Sequence, residues 1–480
     1  MSDSIKSQSI SGLKWSAIER FGVQAIQFII GLILARLLSP SDYGIIGMLA
    51  IFMAISQTII NSGFSSALIQ NQNRTETDFS TAFYFNIVVG IVCYAILFVA
   101  APYIAVFFNE PILKPVLRVF AINLFIGSLA VVPAAKFSIK IDFKTQSKAS
   151  IIATLISGTL GITLAYRGVG VWALVAQSVC HSVCNVTLLW YLLKWKPLWT
   201  YSWNSFKQLF SYGGNILLSG LLHTVYENLT TLVIGKFYSS KDLGFFTRGQ
   251  QFPSLLSTNI TGILQRVTFP ILSKIQDDTP RLMSVYRDYI KITSLGIFFL
   301  LSLLASLGRP LVELLLTDKW IEAVIYLQIF CFALMFDHLC QINLNLLYVI
   351  GNTKYVLRLE IIKKTISFAI LLASIPFGVL AICISKVIYT QIAVFINTYY
   401  TGKLFNFGYL KQIKDFLPYL IFAQISCIPC WFLQATKMHP LLILLLGGVI
   451  AALLYAAILY LTKDAVFDKY IIKEIRKRVP

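Results

Sequence analysis

Apolar residues run along this chain in long stretches separated by short polar turns, with neither the alternation of a half-buried strand nor the narrow apolar stripe of a soluble helix. Set against the roughly 20 apolar residues that a membrane-crossing helix needs, the pattern predicts spans near 15–38, 43–69, 79–101, 115–136, 146–166 and 170–193. A second set is predicted near 209–237, 243–272, 288–308, 321–350, 359–377, 379–401, 416–434 and 440–462, with a tight turn at Phe377-Gly378 splitting one apolar run in two. The implied fold class is an all-α membrane protein of about 14 transmembrane helices. The first apolar stretch is too long for the core of a signal peptide, and no small-residue cleavage site follows it, so the first helix is expected to stay in the membrane.

Composition agrees: 57% of residues are hydrophobic and 13% charged, against about 25% charged in a soluble domain. The 40 Lys and Arg against 21 Asp and Glu give +19, which in a soluble chain suggests a nucleic-acid partner. In a membrane chain the cations are first sorted by side. With the N-terminus cytoplasmic, the inner connections carry about three times as many Lys and Arg as the outer turns; Lys136, Lys140, Lys144 and Lys148 fall there, as do Lys354, Arg358, Lys363 and Lys364. The bias places both termini in the cytoplasm and removes nucleic acid as a partner. The tail 473–478, KEIRKR, is suited to rest on anionic membrane lipid.

The eight cysteines all lie in apolar runs and are read as small buried hydrophobes. Cys427-Ile428-Pro429-Cys430 lacks the setting of a redox pair, and Cys180, His181 and Cys184 lack the further ligands of a zinc site. No connection is long enough for a nucleotide-binding domain, and neither GxxxxGK[ST] nor GxGxxG occurs. The outer turns are too short for a catalytic domain. The expectation is a transporter, with no cofactor and no enzymatic activity.

A shift of 200 residues aligns Leu32–Gly44 with Leu232–Gly244, matching Leu32, Ser39, Asp42 and Gly44 to Leu232, Ser239, Asp242 and Gly244. In each copy the S-x-x-D-x-G turn offers Asp as a cap for the returning helix. Six spans per copy make the copies parallel, as in transporters that rock two bundles about a central cavity. The predicted organisation is an N-lobe over 1–200, a C-lobe over 201–402, and spans 13–14 with a basic tail over 403–480. The Trp-rich segment 195–207 between the lobes is expected at the headgroup level.

Ionisable groups inside spans are functional candidates because insertion costs about 2.5–3.5 kcal/mol each. Arg36, Lys236 and Arg266 lie near span ends and can snorkel. Arg248 lies deeper, beside Gly249, Gln250, Gln251 and Pro253; Arg20 sits next to Glu19, where a local ion pair and a cavity cation are both open; Lys386 is within span 12. Glu19, Glu227 and Asp337 are candidates to bind a coupling proton or sodium ion, and equally suit interhelical contacts. Gln57, Asn61, Asn86, Asn123 and Gln177 suggest a hydrated groove.

The segments ISGLKWS (10–16), LARLLSPSDYG (34–44), NSGFSSALIQ (61–70), GVWALV (170–175), DLGFFTRGQQFP (242–253) and LQRVTFPILSK (264–274) together give the chain its resemblance to a known family. It resembles the polysaccharide-exporter branch of the multidrug/oligosaccharidyl-lipid/polysaccharide (MOP) flippase superfamily, of the colanic-acid-type Wzx exporters. That resemblance implies two six-helix lobes in a V plus two further helices in a bacterial inner membrane. It implies transfer of an undecaprenyl-diphosphate-linked repeat unit to the outer leaflet for lipopolysaccharide-type surface glycan synthesis, alongside glycan polymerase and export machinery. The superfamily's lipid II flippases hold the diphosphate with arginines on helices 1, 2 and 8; Arg20 and Arg248 match the first and last, and span 2 has no interior arginine. Arg20, Arg248 and Lys386 are therefore the expected diphosphate contacts. A multidrug or cation antiporter of the same fold is the alternative.

Overall fold

In the computed structural model, which describes residues 22–61, 63–436 and 438–469, the apolar stretches are helices. They are α1 (Gly22–Leu37), α2 (Pro40–Gln70), α3 (Glu76–Phe108), α4 (Leu113–Ile139), α5 (Phe143–Tyr166), α6 (Val171–Leu193) and α7 (Trp203–Phe237). Then come α8 (Ser240–Ser273), α9 (Thr279–Ser306), α10 (Ala323–Val349), α11 (Thr353–Ser374), α12 (Val379–Phe405), α13 (Tyr409–Gln434) and α14 (Pro440–Leu461). Among the described residues, ten of these are long and apolar enough to cross a membrane; the chain is a multi-pass membrane protein. The other four are α1, short within the described residues, and the long but more polar α7, α8 and α11.

Several helices outrun their apolar stretches. α7, α9, α11 and α13 begin six to nine residues before the apolar run does, at Trp203, Thr279, Thr353 and Tyr409. A helix satisfies its own backbone in water as in lipid, so it continues past the hydrocarbon until a cap ends it. At α3 that cap is a capping box: Thr75 accepts from the Asp78 backbone N–H, and Asp78 accepts from that of Thr75. The predicted turn between α11 and α12 falls where expected, because only Gly378, at φ 95°, accommodates the reversal without strain.

The contacts divide the chain into two compact units, residues 1–244 and 245–480. In the first, α7 packs along α2, which carries the division past the repeat boundary near residue 200. The segment between α6 and α7 is stitched to the start of α3. Trp195 Nε1 donates to Glu76 Oε2 (2.7 Å), Leu198 N to Ser80 Oγ (2.9 Å) and Ser202 N to Thr81 Oγ1 (3.1 Å). Lys136 is buried there, 2.7 Å from Glu76 and 3.9 Å from the Phe79 ring centroid. The sequence pattern assigns this lysine to a solvated connection; its charge is instead held by a carboxylate and aromatic faces. Lys136→Met is expected to destabilise the protein by about 1–2 kcal/mol, since Glu76 is itself half exposed, read as a lower melting temperature in detergent.

In the second unit a buried polar network ties α9, α10, α12 and α13. Asn343 Oδ1 accepts from Tyr286 Oη (2.8 Å), Thr401 Oγ1 (3.0 Å) and Gln412 Nε2 (3.0 Å), while Asn343 Nδ2 donates to Gln412 Oε1 (3.0 Å). Asn343→Leu leaves the buried Tyr286 hydroxyl without its acceptor and Gln412 Oε1 without its donor, and is expected to cost about 2–4 kcal/mol. Equal melting temperatures of variant and parent would contradict this. Cys427 and Cys430 lie in an apolar cluster with Leu307, Ile443 and Ala451, as the pattern predicts.

Candidate functional site

The three long helices of more polar composition each carry ionisable groups: Glu227 on α7, Arg248 on α8, and Glu360 and Lys363 on α11. A charge held against hydrocarbon needs a partner or water, and the second unit supplies partners along one seam. α8 and α10 run side by side, and polar contacts step down them in register.

At the first step Arg248 is buried, 7% exposed. Its NH1 donates to Gln251 Oε1 at 2.5 Å and its guanidinium lies 5.7 Å from the Trp320 ring centroid. Trp320, wholly buried, belongs to the short segment between α9 and α10 and meets Phe245 edge-on. About two turns on, Ser257 Oγ donates to Asp337 Oδ2 (3.4 Å). Further along, Gln265 Nε2 donates to Gln341 Oε1 (2.8 Å) and Asn345 Nδ2 to Thr268 Oγ1 (3.1 Å). Lys363, 5% exposed, pairs with Glu360 at 2.5 Å. The sequence pattern places Lys363 in a basic connection; the Glu three residues earlier is the signal for an i,i+3 pair that holds it inside.

Of the residues singled out by sequence, the structure brings Arg248 and Asp337 onto one seam. Lys386 sits half-buried on α12 with its ammonium 5.2 Å from the Tyr389 ring centroid. Glu227 is exposed on α7 in the first unit, where its neighbour Asn228 is satisfied by its own helix at Thr224 O (2.8 Å). Arg20 and Glu19 lie outside the described residues. The polar groups expected to mark a groove divide: Asn123 donates to Ser178 Oγ (3.2 Å), Gln57 to Asn61 Oδ1 (3.4 Å), and Asn86 is wholly buried with its amide unpartnered among the described residues.

The repeated turns meet each other within the first unit. In each, Ser rather than Asp occupies the cap: Asp42 Oδ2 accepts from Ser39 N (2.9 Å) and Oγ (2.6 Å), and Asp242 Oδ2 accepts from Ser239 N (3.2 Å) and Oγ (2.6 Å). The Ser hydroxyl in turn accepts from the Asp N–H, at 3.2 and 3.1 Å, so each turn is a capping box. The two helix starts then touch reciprocally. A Cβ on Gly44 would fall 1.7 Å from Ser240 O, and one on Gly244 1.9 Å from Pro40 O, while Ser41 and Ser240 hydroxyls bond at 2.8 Å. The glycine in each S-x-x-D-x-G copy is therefore required by the partner copy's backbone.

This architecture is shared with solved transporters. The chain superposes on the lipid II flippase MurJ in an inward closed conformation with a TM-score of 0.73 at 13% identity, covering 96% of this chain and all of that one. It superposes on an inward-facing MATE-family multidrug resistance transporter of the MOP superfamily at 0.60 and 15% identity, covering 81% and 97%. In sequence it is 26% identical over 329 residues to the teichuronic acid biosynthesis protein TuaB of Bacillus subtilis, covering 68% of each chain. To the lipopolysaccharide biosynthesis protein WzxC of Escherichia coli it is 22% identical over 335 residues, covering 68% and 67%. The model of the polysaccharide biosynthesis protein family matches residues 33–325, more than half of the chain and inclusive of both capping-box turns and Arg248. By that match, the chain belongs to the polysaccharide biosynthesis protein family.

Proposed function

We propose that the protein is a flippase that carries a polyprenyl-diphosphate-linked oligosaccharide repeat unit from the cytoplasmic to the outer leaflet of a bacterial inner membrane. The observation that carries the proposal is a permanently charged guanidinium buried on α8, one of the long helices of a MurJ-like fold. A diphosphate cannot enter hydrocarbon unpaired, and Arg offers two parallel donors to phosphate oxygens. In this reading Arg248, with Arg20 and Lys386, holds the diphosphate, and the substrate displaces the Gln251 and Trp320 cover to reach it. Both termini are cytoplasmic, in keeping with the basic bias of the connections. The protein catalyses no bond change and needs no cofactor; a proton or sodium ion taken up at Asp337, Glu227 or Glu19 couples the cycle to a gradient. The flipped unit is handed to the glycan polymerase and export machinery.

Deleting the gene tests the proposal: surface polysaccharide is lost and lipid-linked repeat units accumulate, with drug susceptibility unchanged. Intact surface polysaccharide together with hypersensitivity to cationic drugs would instead support an antiporter.

A further inference from the structure

Where α9 begins, α12 ends and α13 begins, a cleft of about 390 Å³ opens between Met283, Arg287, Phe405, Phe407, Lys411 and Lys414. Its cations outnumber the acids that face it. Asp415 is 6% exposed and already held by Arg287, at 2.7 and 2.9 Å, and by Lys291 at 3.4 Å. Asp288, next along α9, pairs with Lys469 at 3.1 Å. Lys411 is steadied by Asn406 O (2.6 Å), and Lys414 has no ion pair among the described residues.

The walls are fixed. Arg287, which lines the cleft, uses Nε and NH2 on Asp415 and lies 5.0 Å from the Phe407 ring centroid, which leaves NH1 without a partner among the described residues. Behind it stands the Tyr286–Asn343–Thr401–Gln412 network, whose members adjoin Arg287 and Lys411 in sequence. Met283, Phe405 and Phe407 supply the apolar part of the lining, and Leu404 and Leu410, adjoining Phe405 and Lys411 in sequence, are 40% and 76% exposed, which suits acyl chains rather than water.

We infer that this cleft binds the phosphodiester headgroup of an anionic phospholipid of the phosphatidylglycerol class, its phosphate on Arg287, Lys411 and Lys414 and its upper acyl segment along Phe405 and Leu410. Basic pockets between helices at the cytoplasmic headgroup level recognise lipid phosphates in this way, and the basic bias of the connections assigns this end of the helices to that leaflet. A soluble phosphate would gain nothing from Met283, Phe405 and Phe407. The inference needs only that the chain spans a membrane, and so stands or falls apart from the flippase reading.

The test is native mass spectrometry of the full-length detergent-solubilised protein titrated with phosphatidylglycerol or phosphatidylcholine, comparing the parent, Lys411→Glu/Lys414→Glu, and Lys354→Glu as an exposed control outside the cleft. Arg287 is left in place because removing it would strand Asp415. Phosphatidylglycerol is expected to be retained in preference to phosphatidylcholine, at least about tenfold less by the double variant, normally by Lys354→Glu, and not displaced by millimolar inorganic phosphate. An unchanged melting temperature of the lipid-free double variant confirms its fold. Equal retention of both lipids, equal retention by the double variant, or displacement by inorganic phosphate would overturn the inference.

Discussion

Arg248→Ala, expressed at the parental level, is expected to abolish surface polysaccharide export. A diphosphate that loses the buried guanidinium pairing it forfeits about 2–5 kcal/mol, or roughly 30- to several-thousandfold in the population that binds substrate. Arg248→Lys keeps the charge and loses the planar fork, so it is expected to retain partial export. Arg36→Ala, on a side chain exposed at the end of α1, is expected to be tolerated. Measured as cell-surface glycan per cell, the three should rank Ala lowest, Lys between, and Arg36→Ala at parental level. Normal export from Arg248→Ala would remove the diphosphate role of this residue.

The second large effect is expected from the paired turns. Gly44→Ala and Gly244→Ala each push a methyl group into a backbone carbonyl of the other copy, at 1.7 and 1.9 Å, and no rotamer change relieves a clash with backbone. Overpacking of this kind costs about 1–3 kcal/mol. If the reciprocal contact is one state of the transport cycle, that state loses about five- to 150-fold of its population, and export falls accordingly. Ser41→Ala removes one exchangeable hydroxyl bond and is expected to cost no more than about 1 kcal/mol. Full export from both alanine variants would show that the contact is not visited during transport.

Much of the fold was legible because the membrane imposes a fixed ruler on apolar stretches: the predicted α5, α6 and α14 match the observed helices to within about three residues. The polar overhangs of α9 and α13 were not, since hydropathy stops where Lys and Arg begin while the helix does not. Lys136 and Lys363 look solvated in sequence because the charged residue nearest to each, Lys140 and Lys364, is basic; their partners Glu76 and Glu360 meet them only in the folded chain or one helical turn away. Arg248 was legible from its polar neighbours, whereas its cover, Trp320, comes from a separate segment with no local signature. The S-x-x-D-x-G repeat was visible as a pattern, but the pairing of the two copies, and the Ser cap in place of Asp, required three dimensions.

The most direct test of the central proposal is transbilayer movement itself. Proteoliposomes holding the purified protein and a polyprenyl-diphosphate-linked repeat unit, with a glycosidase added outside, report the fraction of substrate that becomes accessible. Accessibility is expected to rise beyond the outer-leaflet share with the parent protein and to stay at that share with Arg248→Ala. Accessibility no greater with the parent than in protein-free vesicles, under proton and sodium gradients of either sign, would contradict it.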